Sequence, residues 1–154
     1  MTKKIALITG ASRGLGAAIS EKLSETHHII AVARTVGGLE DLDDRIKSKN
    51  GTATLVPMDV TNREAMKQLF TSIFERWGRI DLWAHTAIYA PPLSPLSTID
   101  LGDLDKTYST NITATALLIN FISPIMSEDG HALFFDDPCN GNKFYGIYGS
   151  SKSA

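Results

Sequence analysis

Cys139 is the only cysteine in the chain, and a lone thiol can form neither an intrachain disulfide nor a thiolate metal cluster. Chains this poor in thiols belong to reducing compartments, so a cytoplasmic location is expected. A charge imbalance is also lacking, since 15 basic residues against 17 acidic ones leave a net charge of -2. That balance argues against a nucleic-acid footprint and against attachment to an anionic membrane. No apolar run approaches the roughly 20 residues of a membrane span. The start, Met1-Thr2-Lys3-Lys4 followed by Ile5-Ala6-Leu7-Ile8, is too short for a signal-peptide core. His27, His28 and His131 have no ligand spacing with acids or with Cys139, so no metal site is expected. Internal repeats and linker-like tracts are missing as well.

What is present is a chain of 154 residues, 43% of them apolar, long enough to bury about two thirds of its unfolded surface around one core. Residues 1–154 therefore read as a single domain. Short apolar runs alternate with stretches of helical period, the pattern of βαβ units around a parallel sheet. Strands are expected at Lys4 to Thr9, His28 to Ala33, Thr52 to Val56, Ile80 to Ala87 and Ala132 to Phe135. Between them, Leu15, Ile19 and Leu23 form one helical stripe, and Leu39, Leu42 and Ile46 another. Thr61 with Glu64 has capping-box spacing, and Ala65, Leu69, Ile73, Phe70 and Phe74 supply the next buried face. A proline-rich loop, Ala90 to Pro95, precedes the longest helix. That helix is expected from near Asp103 to Phe121, with Leu104, Tyr108, Ile112, Thr115 and Ile119 toward the sheet.

Thr9-Gly10-Ala11-Ser12-Arg13-Gly14-Leu15-Gly16 lies between a strand and a helix, the setting that gives a glycine motif meaning. Gly10 permits a tight turn, Gly14 a close approach of backbone to a pyrophosphate, and Gly16 close packing of helix on strand. The plainer alternative is a flexible turn. At the end of the second strand an acid would accept from the ribose hydroxyls of NAD. Arg34 stands there instead and suits a 2′-phosphate, with Arg13 placed to clamp it from the other side. NADP is thus expected over NAD, although either arginine alone reads equally as a solvated surface residue.

Tyr148 and Lys152 are four residues apart, so a helix presents both on one face. A lysine beneath a tyrosine stabilises the phenolate and brings it nearer to working pH as an acid or base. On its own the pair is a common accident and reads as surface.

The order and spacing of the glycine turn, Asp59-Val60 after the third strand, Asn111 in the long helix and the Tyr148/Lys152 pair resemble the short-chain dehydrogenase/reductase family over the whole chain. The resemblance implies an α/β, Rossmann-like, doubly wound parallel sheet of about five strands. It implies an NADP-dependent oxidoreductase interconverting a carbonyl and a secondary alcohol by hydride transfer. Tyr148 would exchange the proton, and Lys152 would lower its pKa and hold the nicotinamide ribose. Asn111 would position a proton-relay water, with a side chain bonded inside its own helix as the alternative. Asp59 and Val60 would contact the adenine side. Ala87 matches the family's cofactor-facing loop, whereas His85, Thr86 and Ile88 do not. His85 reads better as a hydrogen-bonding structural residue than as an acid or base. The family's serine after the fifth strand is missing, and Asp136 or Asp137 stands near its place. An ionised carboxylate only accepts hydrogen bonds and repels a developing alkoxide.

Family members continue beyond the Tyr-x-x-x-Lys pair, so the fold is expected to lack its C-terminal part. With Lys152 so near position 154, the last turn is expected to fray and turnover to be weak. The fifth strand is expected to be an edge that invites self-association. A nucleotide-binding or regulatory module without catalysis, or an inactive fragment of a longer reductase, is the alternative function.

Overall fold

The computed structural model describes residues 3–137 and 143–154. Five strands, β1 (Lys4–Thr9), β2 (His27–Ala33), β3 (Thr52–Pro57), β4 (Ile80–His85) and β5 (Met126–Phe134), form one sheet in the order β3-β2-β1-β4-β5. Every pairing is parallel. The intervening helices are α1 (Gly14–Leu23), α2 (Val36–Ser48), α3 (Arg63–Trp77), α4 (Leu101–Tyr108) and α5 (Ala114–Ile122), with α6 (Gly146–Ser153) after β5.

Period-two alternation sends neighbouring strand residues to opposite faces. Ile5, Leu7, Ile30 and Val32 pack with Met66, Phe70, Ile73, Ala114 and Leu118 of α3 and α5. Ala6, Ile8, Ile29 and Ala31 pack on the other face with Leu39, Leu42 and Ile46 of α2 and Ala17 of α1. The sheet is therefore covered on both faces. Burial of one such leucine or isoleucine contributes about 1.5–3 kcal/mol. The strand order reverses between β1 and β4, and in open α/β sheets ligands bind beyond the carboxyl ends of the strands at that point.

Several local expectations are corrected. β4 ends at His85 rather than Ala87, and β5 begins at Met126, well before Ala132. Its register slips early, with Ile80 opposite Met126 and Leu82 already opposite His131, so only the end of the strand carries the apolar run visible in the sequence. The cap of α3 is Asn62, whose side chain accepts from the Ala65 amide. Thr61 is drawn instead to Asp59, donating its amide at 2.9 Å and its hydroxyl at 2.8 Å to the carboxylate. The buried row of α3 is Met66, Phe70 and Ile73, and Phe74 stays exposed. Along the longest helical stretch the buried residues are Thr107, Ala114, Leu118 and Ile122. Tyr108 and Ile119 each stand one position past a buried residue, about 100° round the helix, and remain exposed. Leu15 is likewise exposed, because Gly16, Ala17 and Ser20 form the buried face of α1.

Candidate functional site

The glycine turn takes its shape from two residues with positive φ, Gly10 at 88° and Gly14 at 55°, a region open to glycine at no steric cost. A Cβ on Gly10 would stand 2.6 Å from the Ala87 nitrogen, whereas one on Gly14 would meet nothing within 4 Å. Gly10 is thus closed against the chain and Gly14 open to the cleft. Gly16 lets α1 settle on the carbonyl of Gly10. Thr86, which sequence reasoning passed over, stitches this corner: its hydroxyl donates to the Thr9 carbonyl at 2.9 Å and to that of Gly10 at 3.2 Å. The signal for it was only a small hydroxyl residue directly after a strand.

The first turn of α1 follows, with Arg13 at its cap and exposed. First-turn amides have no intrahelical acceptor and favour an anion. Arg34, just beyond β2, is exposed and lies 3.9 Å from the Asp59 carboxylate. Arg13, Arg34, Asp59 and Val60 line the same cleft as the glycine turn.

Tyr148 and Lys152 line that cleft as well. The expected fraying of their helix is corrected, since α6 has eight residues. Tertiary ties offset the cost of nucleating so short a helix. Ile147, Gly149 and Ser151 are buried, Tyr108 Oη and Ser150 Oγ are 2.9 Å apart, and Asn111 Nδ2 donates to Ser151 Oγ at 2.9 Å. Lys152 Nζ donates to the Phe135 carbonyl at the end of β5.

Asn111 sits in a π-helical turn, Ser109–Thr113, between α4 and α5. Its Oδ1 accepts from the Tyr89 amide at 2.8 Å, and its Nδ2 donates to the Tyr89 carbonyl at 2.9 Å. The reading in which this side chain bonds inside its own helix is therefore corrected. Asn111 joins the loop after β4 to α6, and neither partner was visible in the sequence.

His85 has the structural role expected of it. Its Nδ1 lies 2.7 Å from Thr9 Oγ1 and its Nε2 3.0 Å from Thr115 Oγ1. Burial, with a smaller contribution from the charge of Lys152, pushes its pKa down to about 4. The imidazole is neutral at pH 7 and both nitrogens are engaged.

Of the two acids after β5, Asp136 accepts the Asp137 amide at 2.7 Å on its own Oδ1. Asp137 instead reaches across the cleft, where its Oδ2 accepts from the Tyr148 hydroxyl at 3.0 Å. Cys139 lies outside the described residues, and among those described no cluster of His, Cys, Asp or Glu could hold a metal ion.

The cleft has a volume of about 1180 Å³. Its lining includes the glycine turn, the N-terminus of α1 and two arginines. Residues 4–154 match the model of the short chain dehydrogenase family. The chain belongs to that family. Among its relatives, a fatty acyl-CoA reductase of Mycobacterium tuberculosis is 32% identical, over all of this chain and 55% of that protein. An uncharacterised oxidoreductase of Listeria monocytogenes is 31% identical, over 98% of this chain and 62% of that protein. A crystal structure of a metagenomic short-chain oxidoreductase in complex with NADP superposes with a TM-score of 0.91 at 28% identity, covering 98% of this chain and 71% of that one. The chain thus spans less than two thirds of the length of the first two of these proteins. Among the described residues no helix is long and apolar enough to cross a membrane.

Proposed function

We propose that the chain carries out NADP-dependent hydride transfer between a carbonyl and the corresponding secondary alcohol, on a small organic substrate. The observation that carries this reading is one cleft lined by the glycine turn, Arg34, Tyr148 and Lys152 together. Bound NADPH supplies the hydride.

Ser12, Gly14 and Leu15 face the pyrophosphate at the N-terminus of α1, where free amides and the helix dipole favour negative charge. Arg34 and Arg13 pair with the 2′-phosphate, a preference further supported by the NADP bound to the metagenomic relative. Asp59 and Val60 border the adenine, and Ala87 the nicotinamide side. Tyr148 gives its proton to the carbonyl oxygen on reduction and takes one on oxidation. The ammonium of Lys152 favours the phenolate and holds the ribose, while Asn111 fixes the loop and helix between which a proton relay runs. The low cysteine content supports a cytoplasmic setting, and the exposed Leu133 and Phe134 on the β5 edge support self-association there.

A second reading, nucleotide binding without turnover, is favoured by one contact: the Tyr148 hydroxyl donates its hydrogen bond to Asp137. Calorimetric titration with NADPH and NADH, followed by a carbonyl panel assayed with NADPH, tests both readings. Saturable binding that favours NADPH, with turnover abolished in Tyr148→Phe, is the expected result. Binding with no turnover of any carbonyl leaves the module reading, and unchanged turnover in Tyr148→Phe removes the assigned chemistry.

A further inference from the structure

Carbonyl reduction builds negative charge on the substrate oxygen, and catalysis needs donors aimed at that oxygen. On the side of Tyr148 facing β5, the structure puts an acceptor instead. Asp137 Oδ2 accepts a hydrogen bond from the Tyr148 hydroxyl at 3.0 Å, and a carboxylate accepts hydrogen bonds without donating any. Lys152 keeps its positive charge, since its hydrogen-bond partner is a neutral carbonyl, and it sets one ammonium against the two carboxylates of Asp136 and Asp137. Lys152 is bound to the Phe135 carbonyl, and among the described residues Asp137 is in no ion pair. Asp136 is tied back on the Asp137 amide, yet it also lines the cleft, so its charge adds to the same field. The reacting end of the cleft is therefore negative beside its proton donor, the wrong sign for a neutral ketone and the right sign for a cationic group one or two bonds from the carbonyl.

We infer that the substrate of this cleft is a ketone or secondary alcohol bearing an adjacent protonated amine, whose ammonium pairs with the Asp137 carboxylate beside Tyr148. This rests on the hydride-transfer reading above and names its substrate class. The ammonium does two things. It occupies Asp137, which turns the Tyr148 hydroxyl from that carboxylate to the carbonyl oxygen. It also presents an N–H to the same oxygen, supplying from the substrate a donor that the Asp136 and Asp137 carboxylates do not provide. On reduction, the hydride of NADPH forms the new C–H bond and the C=O π pair becomes a lone pair on oxygen. Tyr148 transfers its proton to that oxygen, the ammonium keeps all of its protons, and NADP in its oxidised form remains. Oxidation of the amino alcohol runs the same steps backward.

The probes are 1-amino-2-propanol, protonated at pH 7.5, and 2-butanol, which replaces the ammonium by a methyl group. Each is titrated calorimetrically into the chain loaded with NADPH, where neither alcohol can react, and into the nucleotide-free chain. A charge-assisted contact of this kind corresponds to about tenfold or more in affinity. The amino alcohol is expected to bind at least that much more tightly. The preference should vanish in Asp137→Asn, with NADPH binding retained as the check on folding. Equal binding of the two alcohols, or a preference that survives Asp137→Asn, overturns the inference even if NADPH binds and simple ketones are reduced. Failure to bind NADPH overturns the hydride-transfer reading instead, and the Asp137 dependence of amine binding in the nucleotide-free chain still decides this one.

Discussion

Asn111 Nδ2 donates to Ser151 Oγ across 2.9 Å, joining the middle of the long helical stretch to the helix that carries Tyr148 and Lys152. The same carboxamide holds both backbone groups of Tyr89. Asn111→Ala removes these bonds and leaves partly buried groups unsatisfied, at a cost of about 1–3 kcal/mol. The loss should fall on α6 before the rest of the fold. Hydrogen exchange should show residues 146–153 losing protection while β1 and β2 keep theirs, and uniform loss across the sheet would contradict this role.

The two glycines of the turn should respond differently to alanine. Gly16→Ala forces a Cβ into the Gly10 carbonyl, a backbone group that cannot move without disturbing β1. A loss of several kcal/mol is expected from such a clash. Gly14→Ala meets no neighbour and costs only the left-handed conformation, about 1 kcal/mol. Its Cβ would nevertheless project into the cleft, so NADPH affinity should fall more than stability does. Thermal melts alongside NADPH titrations separate the two effects.

His85 makes stability depend on pH. Its folded pKa of about 4 lies below the ordinary value of 6.5, so between those values the unfolded chain binds a proton that the folded chain does not. Stability should be full above about pH 6.5, fall on acidification, and level off for this group near pH 4. The integrated loss from this residue is about 3 kcal/mol at most. His27 and His28, also lowered chiefly by burial, act in the same direction. Urea denaturation of His85→Asn should show a shallower slope between pH 6.5 and 4, and an unchanged slope would exclude His85 as the cause.

In the proposed reading, cofactor preference rests on Arg34, which is exposed and only 3.9 Å from Asp59. Arg34→Ala should weaken NADPH binding about tenfold or more, the value of a charge-assisted phosphate contact, and leave NADH nearly unchanged. Parallel titrations check this. Equal losses for both nucleotides would mean that Arg34 shapes the turn rather than reading the phosphate.

The parts of this architecture that local chemistry dictates were legible in the residues. Strand, glycine turn and helix follow one another within a short segment, and Gly10 and Gly14 carry φ values of 88° and 55°, as that motif requires. The two-face alternation of Ile5 to Ile8 also reads directly. What escaped depends on neighbours distant in sequence. Tyr108 and Ile119 look like core by size, yet the buried row of that helical stretch runs through Thr107, Ala114, Leu118 and Ile122. Thr61 looks like a cap until Asp59 claims its hydroxyl. The persistence of α6 is invisible because its anchors, Tyr108 and Asn111, lie about 40 residues away along the chain.

The hydroxyl of Thr9, where β1 meets the cleft, also accepts from the indole nitrogen of Trp83 at 3.3 Å. Trp83 is buried, with Phe134 edge-on at 5.0 Å and the His85 ring at 5.3 Å. The chain's second tryptophan, Trp77, lies at the C-terminus of α3, beside His28 at 5.4 Å and under the Arg76 guanidinium at 4.6 Å. The protein therefore has two tryptophan fluorophores in separate surroundings. One senses the floor of the cleft through Thr9 and His85, and the other senses a charged surface remote from it, so the emission spectrum can distinguish occupancy of the cleft from a general loosening of the fold.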